Sequence, residues 1–242
     1  MAEDDRSGRG LETAEPDAAL PPGGDEPATP LLAVLERARS TLDRERAEAP
    51  ALCAELLELP PEVAGERLRE EARFHTWGMC EMLLAMSAEP AMMVDSKGAQ
   101  GPKEAARFAL LALAGAERLD PARHAAAVVA DLKARAWAAV GEARRQAADL
   151  PGAEEALRAA AACLAHGTGD LLVEARLLEF EAAVRRWQGR DGEAAALLKL
   201  AAARYREAGE SQRLERALAE REDILRRDGP APSSRSPLRS TS

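Results

Sequence analysis

Apolar residues recur about every 3.6 positions between residues 30 and 227, and no segment shows the apolar–polar alternation of a half-buried strand. Ala and Leu dominate while aromatic residues make up 3%, a composition that favours closely packed helices over sheets. These features predict an all-α protein. The expected helices run from Pro30 to a break at Pro50, on to Pro60, from Pro61 to Ser87, from Pro102 to Leu119, from Asp120 to Ala148, from Pro151 to His166, from Asp170 onward, from Asp191 to Ala208 and from Ser211 to Arg227.

The segment after Pro151 carries the clearest helical pattern. Its small and apolar residues fall on one stripe, at Ala153, Ala156, Leu157, Ala160 and Leu164. His166-Gly167 predicts the end of this helix, with a basic residue in the last turn and a glycine just beyond it. Asp170 predicts the N-cap of the next helix, because a short acidic side chain accepts hydrogen bonds from the first backbone N–H groups.

Acidic, Pro-rich and Gly-rich residues fill the N-terminal 29 positions, which carry eight acids and two arginines. Such a segment has too little apolar surface to offset the entropy of an ordered chain. Residues 228–242 are rich in Pro and Ser. We therefore predict disordered tails at 1–29 and 228–242, an N-terminal helical region at 30–100 that is either a cap or a set of diverged repeats, and helical repeats at 101–227.

Charge and cysteine content narrow the classes of protein. The net charge of −9 gives no basic domain, which argues against nucleic-acid binding. Three well-separated cysteines and the absence of a long apolar run indicate reduced thiols, no membrane span and a cytoplasmic location. His75 and Cys80 have no second ligand pair, and no nucleophile–base pattern or phosphate loop is recognisable. We therefore expect no catalytic residues, no metal and no cofactor.

Two stretches of the chain repeat one pattern at a distance of 41 residues. The first is Trp137-x2-Val140-Gly141-x2-Arg144 followed by Ala153-x3-Leu157. The second is Leu178-x2-Glu181-Ala182-x2-Arg185 followed by Ala194-x3-Leu198. Small residues at such positions let two helices approach closely.

The pattern resembles the tetratricopeptide repeat, and its Ala- and Arg-rich composition is similar to helical-repeat proteins of high-GC bacteria. The resemblance implies a right-handed superhelical stack of antiparallel helix pairs, a TPR-like α-solenoid.

Six arginines obey the same 41-residue shift: Arg135 with Arg176, Arg144 with Arg185, and Arg145 with Arg186. The first helix of each tetratricopeptide pair lines a concave groove, so the resemblance implies a basic ladder that binds carboxylates or phosphates. The alternative is that these arginines pair with nearby acids, such as Glu142 and Glu181, and only solubilise the surface. A further hypothesis places the acidic N-terminal tail in this groove.

These observations favour a non-catalytic scaffold that binds a protein or peptide segment, for example an acidic one, in the arginine-lined groove. Two other functions stay open: a regulatory or sensory module for a small ligand or short peptide, and an enzyme with an unrecognised site. The cluster of Met79, Met82, Met86, Met92 and Met93 is either core or an adaptable binding surface. The oligomeric state is left open.

Overall fold

A computed structural model describes residues 30–88 and 101–228 of the 242-residue chain. In these two ranges the protein consists of α-helices, one short 3₁₀ helix and no strand, which confirms the all-α prediction. The helices are α1 Pro30–Leu57, α2 Pro61–Glu70, α3 Trp77–Ala88, α4 Gly101–Ala116, α5 Ala126–Gln146, α6 Leu150–Leu164, α7 Leu171–Trp187, α8 Asp191–Glu207 and α9 Ser211–Asp228, and the 3₁₀ helix is Ala72–Phe74. The predicted tails lie outside the described residues, as do Met92 and Met93, except that Asp228 is the last residue of α9.

The chain divides into two compact units, Met1–Arg39 and Ser40–Ser242. The described part of the first unit is the beginning of α1, where Leu31, Leu32, Val34 and Leu35 are all at least half exposed. The pattern therefore predicted this helix, but its leucine face is not buried.

Helix α1 continues through Pro50, so the predicted break there is wrong. A proline inside a helix removes one backbone hydrogen bond and crowds the preceding turn, which usually ends or kinks the helix. Here Ala49, Cys53 and Leu56 follow the helical period and are at most 2% exposed. Burial of this stripe on both sides of Pro50 favours continuation of the helix.

The single helix predicted from Pro61 to Ser87 is also wrong, since α2, the 3₁₀ helix and α3 are separate. Phe74 in the 3₁₀ helix is fully buried. The N-terminus of α3 is held from another helix: the carboxylate of Glu45 in α1 accepts a hydrogen bond from the Trp77 backbone N–H at 2.8 Å. Gly78 permits this approach, because a Cβ there would lie 2.4 Å from the backbone oxygen of Glu45.

Helix α5 begins at Ala126, six residues after the predicted Asp120 cap. Asp120 does cap, but it caps a separate turn. Its carboxylate accepts from the Ala122 N–H at 2.9 Å, and its backbone oxygen accepts from the N–H groups of Arg123 and His124. The N-caps of the two following helices are more regular. Asp149 accepts from the Gly152 N–H at 3.0 Å and Asp170 from the Leu172 N–H at 2.8 Å, which confirms the predicted Asp170 cap.

The C-terminal helices pack on their neighbours in order: α5 on α6, α7 on α8, and α8 on α9. Three of the connecting turns have the same backbone geometry, with a left-handed residue at Ala148 (φ 61°), Gly189 (φ 72°) and Gly209 (φ 76°). After α6 the left-handed residue is Gly169 and not the predicted Gly167. Gly167 instead lies against Asp131 of α5, whose carboxylate oxygen would be 1.9 Å from a Cβ at that position.

Trp137 and Gly141 of α5 join the cores of successive helix pairs. Trp137 packs against three hydrophobic clusters, formed by residues of α1 to α5, of α4 to α6, and of α5 to α7. At Gly141 a Cβ would lie 2.3 Å from Cζ of Phe180 in α7 and 3.1 Å from Cβ of Ala156 in α6. The glycine therefore marks the closest approach of three helices, as expected from its position in the repeated pattern.

Candidate binding groove

A groove of about 480 Å³ runs along α3, α5 and α7, the first helices of successive pairs. We call it the first-helix groove. Its floor is made of small and aliphatic side chains, chiefly Leu84, Ala134, Ala138, Val173 and Leu177. Its polar lining includes Glu81, Arg135, Glu142, Gln146 and Arg176. An apolar floor with a few convergent polar groups is the usual composition of a ligand site.

Arg135 and Arg176 are the two predicted arginines that line this groove. Neither guanidinium forms an ion pair or a side-chain hydrogen bond with any residue that the structure describes. The pKa of Arg176 lies below its ordinary value because surrounding protein atoms displace water from it, and because Arg213 and Arg135 repel its charge. The Arg176 side chain still contacts solvent, as a group inside an open concave surface does. The groove therefore holds two guanidinium groups that form no ion pair with the described residues.

Glu81 of α3 is the acid that faces this end of the groove, but its charge is already matched. Its carboxylate accepts two hydrogen bonds from the guanidinium of Arg46, at 2.8 and 3.2 Å. Burial favours the neutral acid, yet the hydrogen bonds and positive charges, including that of Arg135, outweigh it and lower the pKa of Glu81. Glu81 thus stays ionised while Arg46 takes most of its hydrogen-bonding capacity.

Arg144 and Arg185 occupy a different environment, at the joints between helices. Arg144 donates to the backbone oxygen of Gly152 at 2.9 Å and lies 3.3 Å from Glu155 of α6. Arg185 donates to Glu181 at 2.8 Å and lies within 4 Å of Glu154 and Glu193. Both guanidinium groups are therefore engaged by acids of their own helix or of a neighbouring one.

Arg145 and Arg186 line a second depression of about 530 Å³ between α5, α7 and α9, together with Trp187. Both arginines are paired with acids: Arg145 with Glu142, at 2.5 and 2.7 Å, and Arg186 with Glu220, at 3.2 Å. The Arg145 guanidinium also lies over the Trp187 ring, 6.0 Å from its centroid. Trp187 is 53% exposed. Of the three predicted 41-residue pairs, Arg135 with Arg176 therefore has no ion-pair partner among the described residues, whereas the other two pairs are matched by acids.

Sequence reasoning missed Trp187, which lines the second depression, and Arg213, whose charge acts on Arg176. A signal for Trp187 was available, because it lies eleven residues after Arg176 and eleven residues return a helix to nearly the same face. Arg213 is in α9, outside the 41-residue repeat, and its effect on Arg176 depends on packing between helices.

Three of the clustered methionines and Cys53 belong to the hydrophobic core or pack against it. Met79 is fully buried, and Met82 and Met86 pack against the same core. Burial raises the pKa of the Cys53 thiol to about 11. In the described ranges, His, Cys, Asp and Glu nowhere gather in a group of three or more suited to a metal ion. Nor is any helix of these ranges long and apolar enough to cross a bilayer.

Comparison with known proteins identifies no family for this chain. The sequence matches no family model, no curated protein and no solved structure.

Proposed function

We propose that this protein is a non-catalytic helical-repeat scaffold that binds a segment of a partner protein in the first-helix groove. The observation that carries the proposal is the pair Arg135 and Arg176, two guanidinium groups without described partners beside an apolar floor. A guanidinium fork suits a carboxylate, and a hydrogen bond to a charged group contributes more than one between neutral groups. The partner segment therefore carries an acidic group next to small apolar side chains.

The proposal includes a TPR-like superhelical stack. It is supported by the 41-residue recurrence of sequence landmarks, by the matching left-handed turns at Ala148 and Gly189, and by the contacts of α5 with α7 and of α3 with α5. First helices that touch one another leave a shared face on one side of the stack. The first-helix groove lies on that face.

Site-directed photo-crosslinking in cell lysate tests the proposal. A benzophenone side chain placed at Ala85, an exposed residue of the groove, is expected to capture a defined segment of one partner. The same group at Ala161, exposed on α6 outside the groove, is the matched control and should not capture it.

Charge reversal completes the test. Arg135→Glu/Arg176→Glu is expected to abolish the Ala85 crosslink. Arg158→Glu/Arg206→Glu makes the same change in charge at exposed positions of α6 and α8 and is expected to preserve it. Equal crosslinking in both variants, with circular dichroism confirming their helix content, would contradict the groove as the binding surface.

A further inference from the structure

Two depressions share one face of the first helices, although they differ in chemistry. Glu142 lines the first-helix groove, and its ion-pair partner Arg145 lines the depression around Trp187. On α7, Arg176 in the groove and Trp187 in the depression are eleven residues apart, which places them within about 20° of each other around the helix. The two depressions are therefore parts of one surface, joined along the same side of α5 and α7.

Charge is unmatched at one end of this surface and matched at the other. At the first end Arg135 and Arg176 have no described acid partner. At the second end Arg145 is neutralised by Glu142 and Arg186 by Glu220, so the surface left for a partner is the Trp187 indole, which is 53% exposed beside the Arg145 guanidinium. Exposed tryptophan framed by arginines is typical of protein-binding hot spots. A partner therefore binds more tightly if it places an acidic group at the first end and an uncharged apolar ring at the second.

We infer that the bound segment is extended and carries an aromatic side chain about five residues from its acidic residue, with the aromatic ring on Trp187. The inference rests on the proposed function and specifies its partner. Eleven helical residues separate Arg176 from Trp187 along α7, a rise of about 17 Å. An extended chain covers about 3.3 Å per residue, so about five residues span that distance. A helical segment, at 1.5 Å per residue, needs about eleven.

A displayed library of random 16-residue peptides, selected on the full-length chain, tests this spacing. The expected sequences pair Asp or Glu with Trp, Tyr or Phe four to six positions away. Selection on Trp187→Ala should keep the acid and lose the aromatic residue. Leu200→Ala removes a similarly exposed apolar side chain from α8, outside both depressions, and should leave both preferences intact.

One selected peptide then gives the quantitative comparison by fluorescence polarisation. Replacing its aromatic residue by Ala should weaken binding to the wild-type chain about tenfold, as expected for losing one buried ring. The same replacement should change binding to Trp187→Ala less than about twofold, because the two rings no longer meet.

The outcomes separate the two proposals. Acidic peptides without a spaced aromatic residue, or with one about eleven positions away, overturn this inference and leave the groove function standing. Selection of no acidic peptide, or of peptides indifferent to Arg135→Gln/Arg176→Gln, overturns the proposed function and this inference with it.

Discussion

The helix pairs α5–α6 and α7–α8 are built on one pattern but use it differently. Both place a small residue where helices meet, Gly141 and Ala182, and both turn through a left-handed residue, Ala148 and Gly189. The tryptophans differ. In the first pair Trp137 fills the joint of three core clusters, whereas in the second the tryptophan is Trp187, which is exposed in the second depression. The 41-residue shift pairs Trp137 with Leu178 and Trp187 with Gln146, so each helix pair has its tryptophan at a different position, in the core in the first pair and on the surface in the second.

The largest expected difference between the pairs is at Trp137 and its equivalent, Leu178. Trp137→Ala should lower the free energy of unfolding by about 3 kcal/mol, the lower part of the range for deleting a large core side chain, because Trp137 is partly buried. Leu178→Ala should cost about 2 kcal/mol, since Leu178 packs against one cluster only. Urea unfolding followed by circular dichroism measures both. A larger loss at Leu178 would show that Trp137 does not join the cores.

The close approach at Gly141 predicts the next largest effect. Gly141→Ala places a methyl group against Phe180 and should lower the free energy of unfolding by about 2 kcal/mol through overpacking. Ala182→Gly should cost about 1 kcal/mol, mainly through helix propensity. A Gly141→Ala/Phe180→Leu double variant should recover part of the loss. If the double variant is no more stable than Gly141→Ala, the Phe180 ring is not the group that makes a methyl group unfavourable at position 141.

The left-handed turn residues predict effects of opposite sign. Ala148→Gly should raise the free energy of unfolding by about 1 kcal/mol, because a Cβ is strained at positive φ. Gly189→Ala should lower it by about 1 kcal/mol for the same reason, and no atom lies within 4 Å of the new Cβ to add a clash. Thermal unfolding of both variants at one pH is the measurement. Changes of the same sign would contradict the equivalence of the two turns.

The smallest expected effect concerns Glu81, whose pKa is lowered in the folded protein. Its stabilising contribution is present above the unfolded pKa and is lost as pH falls through the folded pKa. Arg135→Gln should raise the pKa of Glu81, because Arg135 lowers it, whereas Arg176→Gln should leave it unchanged. NMR titration of the side-chain carboxyl carbon measures both shifts. An equal response to the two variants would remove the distinction between the two groove arginines.

The helices were predictable from the sequence because their apolar period is long and regular, and because Asp170 caps locally. The break between α2 and α3 was not predictable. Residues 70–76 contain neither Gly nor Pro, and the acceptor for the Trp77 N–H is Glu45, in a helix far earlier in the chain. Local patterns carry no information about such a distant partner.

The same limit applies to the arginines. The 41-residue shift identified three pairs at equivalent positions, but the acids that neutralise them are only partly local. Arg145 and Arg185 pair with acids of their own helices, whereas the acids of Arg144 and Arg186 come from other helices. Glu155 of α6 reaches Arg144, and Glu220 of α9 reaches Arg186. No described acid forms an ion pair with Arg135 or Arg176, and the packing of α3, α5 and α7 distinguishes that pair from the other two.

The most direct measurement is isothermal titration of the segment captured at Ala85 against three forms of the chain: wild type, Arg135→Gln/Arg176→Gln, and Arg158→Gln/Arg206→Gln. Loss of a charged hydrogen bond predicts at least about tenfold weaker binding for the groove variant. The control variant should bind within about twofold of wild type, as exposed charges away from the site do. Equal affinity of all three forms would contradict the groove as the working surface of this protein.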